Sequence, residues 1–85
     1  MKTTYTMEKE EILSGVSRVI CRVLNKEALQ ITPETTAHDV DGWDSLSNMK
    51  IISETEKAFG MKFKLREIVR MKNVGEMCDV IASRL

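Results

Sequence analysis

The residues best suited to chemistry form one run, Asp41-Gly42-Trp43-Asp44-Ser45-Leu46. The run leads into a segment that reads as a helix from Ser45 to about Phe59, with Asp44 as N-cap and Gly60 as the residue just past the C-terminus. Ser45 then lies in the first helical turn. Backbone N–H groups there have no intrahelical partners, and the positive end of the helix dipole is exposed. A phosphate ester on the Ser45 hydroxyl would sit where helix N-termini favour phosphate. Gly42 allows a sharp bend before the turn. Leu46, directed into the bundle, is expected to leave Ser45 facing outward.

Other chemistries fit the residues less well. His38, the single histidine, and Ser45 suggest a Ser-His-Asp hydrolase. A triad also needs an oxyanion hole and a walled pocket, and a chain of 85 residues buries only a modest core. His38 reads instead as a solvated loop residue. Asp39, Asp41 and Asp44 alternate as oxygen ligands would, but the calcium-loop spacing is incomplete and lacks its distal Glu. No metal site is expected. Cys21 and Cys78 are too few for a disulfide framework. Cys21 falls opposite the apolar face of its helix as an exposed thiol, and Cys78 falls on an inner face.

The elements that position this run are helical. Ile12, Val16, Val19, Ile20 and Val23 recur at steps of three and four and predict a first helix from about Met7 to Leu24, with Thr6 as N-cap and Asn25 ending it. Residues 26–44 show no period and form a long first loop. Leu29, Ile31, Ala37 and Val40 are spaced to pin it to the core. In the helix that starts at Ser45, Leu46, Met49, Ile52 and Phe59 make the expected buried stripe, and Lys50, Glu54 and Lys57 share the other side. A short helix from Leu65 to Met71 is expected to place Leu65, Ile68, Val69 and Met71 against the core. Asn73 caps a last helix with Glu76 as capping-box partner, and Val74, Met77, Cys78, Ile81 and Leu85 face inward. No segment alternates at period two. The expected fold is all-α: a four-helix bundle of three main helices and one short one, a single domain over residues 1–85.

Charge is balanced overall, 13 basic against 13 acidic residues, but unevenly spread. Residues 27–44 carry five acidic and no basic residues, whereas residues 45–72 carry seven basic and three acidic. The basic run from Lys57 to Lys72 invites a nucleic-acid reading, but the last helix has only Arg84 against Glu76 and Asp79 and lacks a base-reading face. The N-terminus has no signal-peptide core, and no apolar run is long enough to span a bilayer. A cytoplasmic monomer that binds neither nucleic acid nor membrane is expected.

Asp-Gly-x-Asp-Ser-Leu followed by a helix ending Glu-x-x-Phe (here Asp41 to Leu46, then Glu56-Lys57-Ala58-Phe59) resembles the acyl carrier protein family. The resemblance continues through Phe63, the short helix, and Val74 to Ile81, and covers nearly the whole chain. It implies that Ser45 is esterified with 4′-phosphopantetheine by a phosphopantetheinyl transferase using coenzyme A. It also implies that the thiol of the arm holds acyl groups as thioesters for loading, condensing and acyl-transfer enzymes of fatty acid or specialised lipid or polyketide-type synthesis. The protein itself would not be an enzyme. Asp44 would help present Ser45 to the transferase. Leu46 and Met49 would form the partner-facing patch, joined by Trp43, Lys50 and Lys57. Within this resemblance a peptidyl or aminoacyl carrier is the alternative; outside it, an unmodified helical interaction domain.

Three departures stand out. Many members have an acidic second and third helix, which Lys50 and the run from Lys57 to Lys72 reverse here. Position 55, normally a core Leu, is Thr55. Trp43 stands where a small or aliphatic residue is common. These departures point to a specialised carrier with dedicated partners.

Overall fold

A computed structural model describes residues 8–27 and 29–85. Four helices follow one another: α1 (Lys9–Leu24), α2 (Ser45–Phe59), α3 (Leu65–Arg70) and α4 (Val74–Arg84). Among the described residues there is no strand, so the all-α bundle with one short helix is as expected. Helix α1 packs against both α2 and α4. The core is one cluster, built around Ile12, Val16 and Ile20 of α1, Ile51 of α2, and Val74 and Ile81 of α4.

The periodicity of α1 matches its buried residues, Ile12, Val16, Val19 and Ile20. Asn25 ends the helix in the left-handed conformation. The N-cap is Glu8, whose N–H donates to the Glu11 carboxylate at 3.0 Å. Thr6, expected there, lies outside the described residues. Cys21 is half-buried rather than exposed, and Cys78 is a core residue as expected. Burial, with Asp79 beside it, pushes the Cys78 thiol up to about 11.

The stripe on α2 differs from expectation. Its buried residues are Ile51, Ile52 and Thr55, with Phe59 half-buried. Leu46 is 81 % and Met49 62 % exposed. Leu46 therefore does not point into the bundle. An apolar residue marks a possible core position, not a guaranteed one, and the fully buried positions of α2 are Ile51 and Thr55. A similar correction holds for α3, which ends at Arg70 with Met71 as its C-cap: Ile68 and Met71 pack on the core while Leu65 and Val69 face solvent. Leu85 is also exposed, because α4 has ended before it.

The first loop is tied to α4. Thr32 N–H donates to the buried Thr35 hydroxyl at 2.9 Å, closing a turn. The carbonyls of Thr35 and Pro33 then accept from the N–H groups of Val74 and Gly75 at 2.9 and 2.8 Å. These are first-turn donors of α4, which need partners from outside the helix. Leu29 and Ile31 pack on the core as expected, whereas Ala37 is exposed within a single 3-10 turn, Ala37–Asp39. Asn73 caps α4 by accepting from Glu76 N–H at 2.9 Å. The reciprocal bond of a capping box does not form: the Glu76 carboxylate reaches one residue further, to Lys72 N–H at 2.6 Å.

Candidate functional site

Asp44 is the N-cap of α2, in extended backbone, and its carboxylate accepts from Ser47 N–H at 3.0 Å. The Ser47 hydroxyl answers by accepting from Asp44 N–H at 2.9 Å and by donating to the Gly42 carbonyl at 2.7 Å. Gly42 has φ +89°, a conformation only glycine takes readily. These bonds hold the carboxylate of Asp44 below its ordinary range, with the Ser47 N–H as the largest cause. Ser47 was not singled out from the sequence. The signal was present as the capping-box spacing Asp44-x-x-Ser47, with Ser in place of the usual Glu or Gln.

This double lock fixes the turn and leaves Ser45, the first residue of α2, exposed. Its hydroxyl makes no hydrogen bond among the described residues. A group esterified there meets open solvent and the positive end of a 15-residue helix. The same face continues with exposed Leu46, Met49, Lys50, Ser53 and Lys57, one or two residues per turn. Lys57 pairs with Glu54 at 3.6 Å, and Glu54 also meets Arg22 at 3.8 Å. Lys50 forms no ion pair among the described residues.

Trp43 lies half-buried against the core, and its indole N–H donates to the Asn48 side-chain carbonyl at 2.9 Å. Trp43 thus packs at the helix start. His38 is exposed on the 3-10 turn and makes no hydrogen bond to Ser45. Among the described residues no group of three His, Cys, Asp or Glu is placed to hold a metal ion.

A helix bundle that displays an exposed serine at a rigid helix start is the arrangement a carrier-type domain needs. Comparison with known proteins agrees. Residues 14–81 match the family described as a phosphopantetheine attachment site. An acyl carrier protein of Acidothermus cellulolyticus is 32 % identical over 91 % of this chain and 92 % of its own length. A meromycolate extension acyl carrier protein of Mycobacterium tuberculosis is 35 % identical over 87 % of this chain, which spans only 62 % of that relative. The solution structure of a holo acyl carrier protein from Geobacter metallireducens is 35 % identical, with a TM-score of 0.79 over 85 % of this chain and 83 % of its own.

The chain belongs to the acyl carrier protein family. It is a carrier, not a catalyst, and its prosthetic group is covalently attached 4′-phosphopantetheine. The residues present fit that group: an exposed hydroxyl at a helix N-terminus, without a hydrogen-bond partner among the described residues.

Proposed function

We propose that Ser45 is the attachment residue, and that the chain acts as one carrier domain, a cytoplasmic monomer, in lipid synthesis. The observation that carries this reading is the Asp44–Ser47 lock, which presents Ser45 alone at the start of α2. The arm supplies a thiol that holds acyl groups as thioesters. The protein supplies position and recognition. Asp44, engaged on one oxygen by Ser47, keeps its negative charge beside the hydroxyl and helps present Ser45 to a phosphopantetheinyl transferase. Leu46 and Met49, exposed beside Ser45, form the apolar part of the partner-facing patch, and Lys50 and Lys57 form its charged part. Trp43 braces the turn under that patch. Loading, condensing and acyl-transfer enzymes are the partners. The mycobacterial relatives named for meromycolate extension support a lipid pathway. No helix among the described residues is long and apolar enough to cross a membrane.

The test is intact mass after co-expression with a transferase. The wild-type chain gains one phosphopantetheine, and Ser45→Ala gains none while keeping its helical circular dichroism, because only a surface hydroxyl is removed. A mass gain that persists in Ser45→Ala excludes Ser45 as the attachment residue. Absence of a gain in the wild type supports the unmodified interaction domain instead.

A further inference from the structure

A recess of about 130 Å³ lies between the start of α2, the end of α3 and the start of α4. Its apolar walls are Trp43, Ile68, Met71, Val74 and Met77. A dry cavity of about 150 Å³ accommodates benzene, so this recess suits a group of roughly six heavy atoms. A long alkyl chain does not fit it without rearrangement of the core.

Four polar side chains also line the recess: Thr35, Asn48, Lys72 and Asn73. The Thr35 hydroxyl is engaged by Thr32, and the Asn73 carbonyl oxygen by Glu76 N–H. Asn48 is oriented by its neighbour. An indole N–H only donates, so Trp43 fixes the Asn48 carbonyl oxygen toward itself and turns the Asn48 amino group away. The side-chain groups left without a protein partner among the described residues are therefore all donors: the Asn48 and Asn73 amino groups and the Lys72 ammonium. Asn48 is also one helical turn from Ser45, on a neighbouring row of α2, within reach of anything tethered there.

We propose that this recess selects a short, oxygenated acyl cargo, whose hydroxyl or keto oxygen accepts a hydrogen bond from the Asn48 amino group. The proposal rests on attachment at Ser45. Trp43 is the positioning residue, since its N–H decides which end of the Asn48 amide faces the cargo. A purely alkyl cargo of the same length fills the recess but takes water from these donors without replacing it.

The test uses three probes of equal chain length, butyryl, 3-hydroxybutyryl and acetoacetyl. Each is installed from its coenzyme A thioester by a transferase and verified by intact mass. The Asn48 side-chain amide resonances are expected to shift with the two oxygenated cargoes and not with butyryl. The oxygenated forms are expected to melt about 4–8 °C above the butyryl form, the shift of one net hydrogen bond in a domain of this size. Asn48→Asp keeps an acceptor for Trp43 but replaces the donor, and is expected to abolish the difference. Trp43→Phe is expected to narrow it. Equal melting temperatures, an unshifted Asn48, or a difference that survives Asn48→Asp would overturn the proposal while leaving attachment standing. Failure of every probe to add mass overturns both.

Discussion

Thr55 on α2 is fully enclosed in the core, and its hydroxyl has no hydrogen-bond partner among the described residues. An unsatisfied buried polar group costs about 1–3 kcal/mol. Valine has nearly the same shape and no hydroxyl. Thr55→Val is therefore expected to stabilise the chain by about 1–2 kcal/mol, where each 1 kcal/mol raises the melting temperature by roughly 4–8 °C. An unchanged or lower melting temperature would show that the hydroxyl is satisfied in solution. Thr55 and the capping residues mark what single positions reveal. Asp44, Asn25, Gly60 and Asn73 were legible in the sequence, because a cap obeys a local rule about side-chain oxygens or left-handed backbone. Leu46 is exposed where the buried stripe was expected, because nothing local distinguishes an apolar residue that faces solvent from one that faces the core.

The elements hold Ser45 in place through contacts that no short-range pattern encodes. Pro33 and Gly75 are far apart in the chain, yet their backbone hydrogen bond docks the first loop on α4. Gly75 is needed for that approach: a Cβ there would lie 2.9 Å from the Pro33 carbonyl oxygen and 3.0 Å from its Cβ. Within a helix, Gly→Ala ordinarily gains about 1 kcal/mol. Here the clash is with backbone, and overpacking costs about 1–3 kcal/mol. Gly75→Ala is thus expected to lower stability by about 1 kcal/mol net and to speed hydrogen exchange at the Val74 amide. A rise in melting temperature would mean that the loop yields freely. The amphipathic helices themselves were legible because α1 and α4 show their inner faces at helical spacing. The order of the loop was also foreseeable from Leu29 and Ile31, but its partner was not, since backbone carbonyls leave no trace in side-chain identity. The recess beside Trp43 was invisible for the same reason, being assembled from three helices and the loop.

At the scale of the whole molecule, the charge of α2 and α3 is expected to bear on which enzymes dock beside Ser45. Lys64, Arg66 and Arg70 surround exposed Leu65 and Val69 on α3, forming an open groove with no carboxylate in its lining. The one acidic residue of α3, Glu67, is turned away into an ion pair with Arg84. On α2, Lys50 lies beside exposed Met49. An enzyme whose docking surface is basic meets like charge here. At 4 Å and an effective dielectric near 20, each such pair costs about 4 kcal/mol before screening. Salt at 0.1 M screens beyond about 10 Å, so close pairs still count. The expected outcome is slow turnover with fatty-acid enzymes that serve acidic carriers, faster in Lys50→Glu/Arg66→Glu/Arg70→Glu. Salt should accelerate the wild-type reaction and slow that of the variant, because it weakens repulsion in one and attraction in the other. Attachment of phosphopantetheine must be equal in both forms, checked by mass, so that docking alone is compared. If the unaltered chain turns over as fast as an acidic carrier, with no dependence on salt, the basic face does not choose its partners.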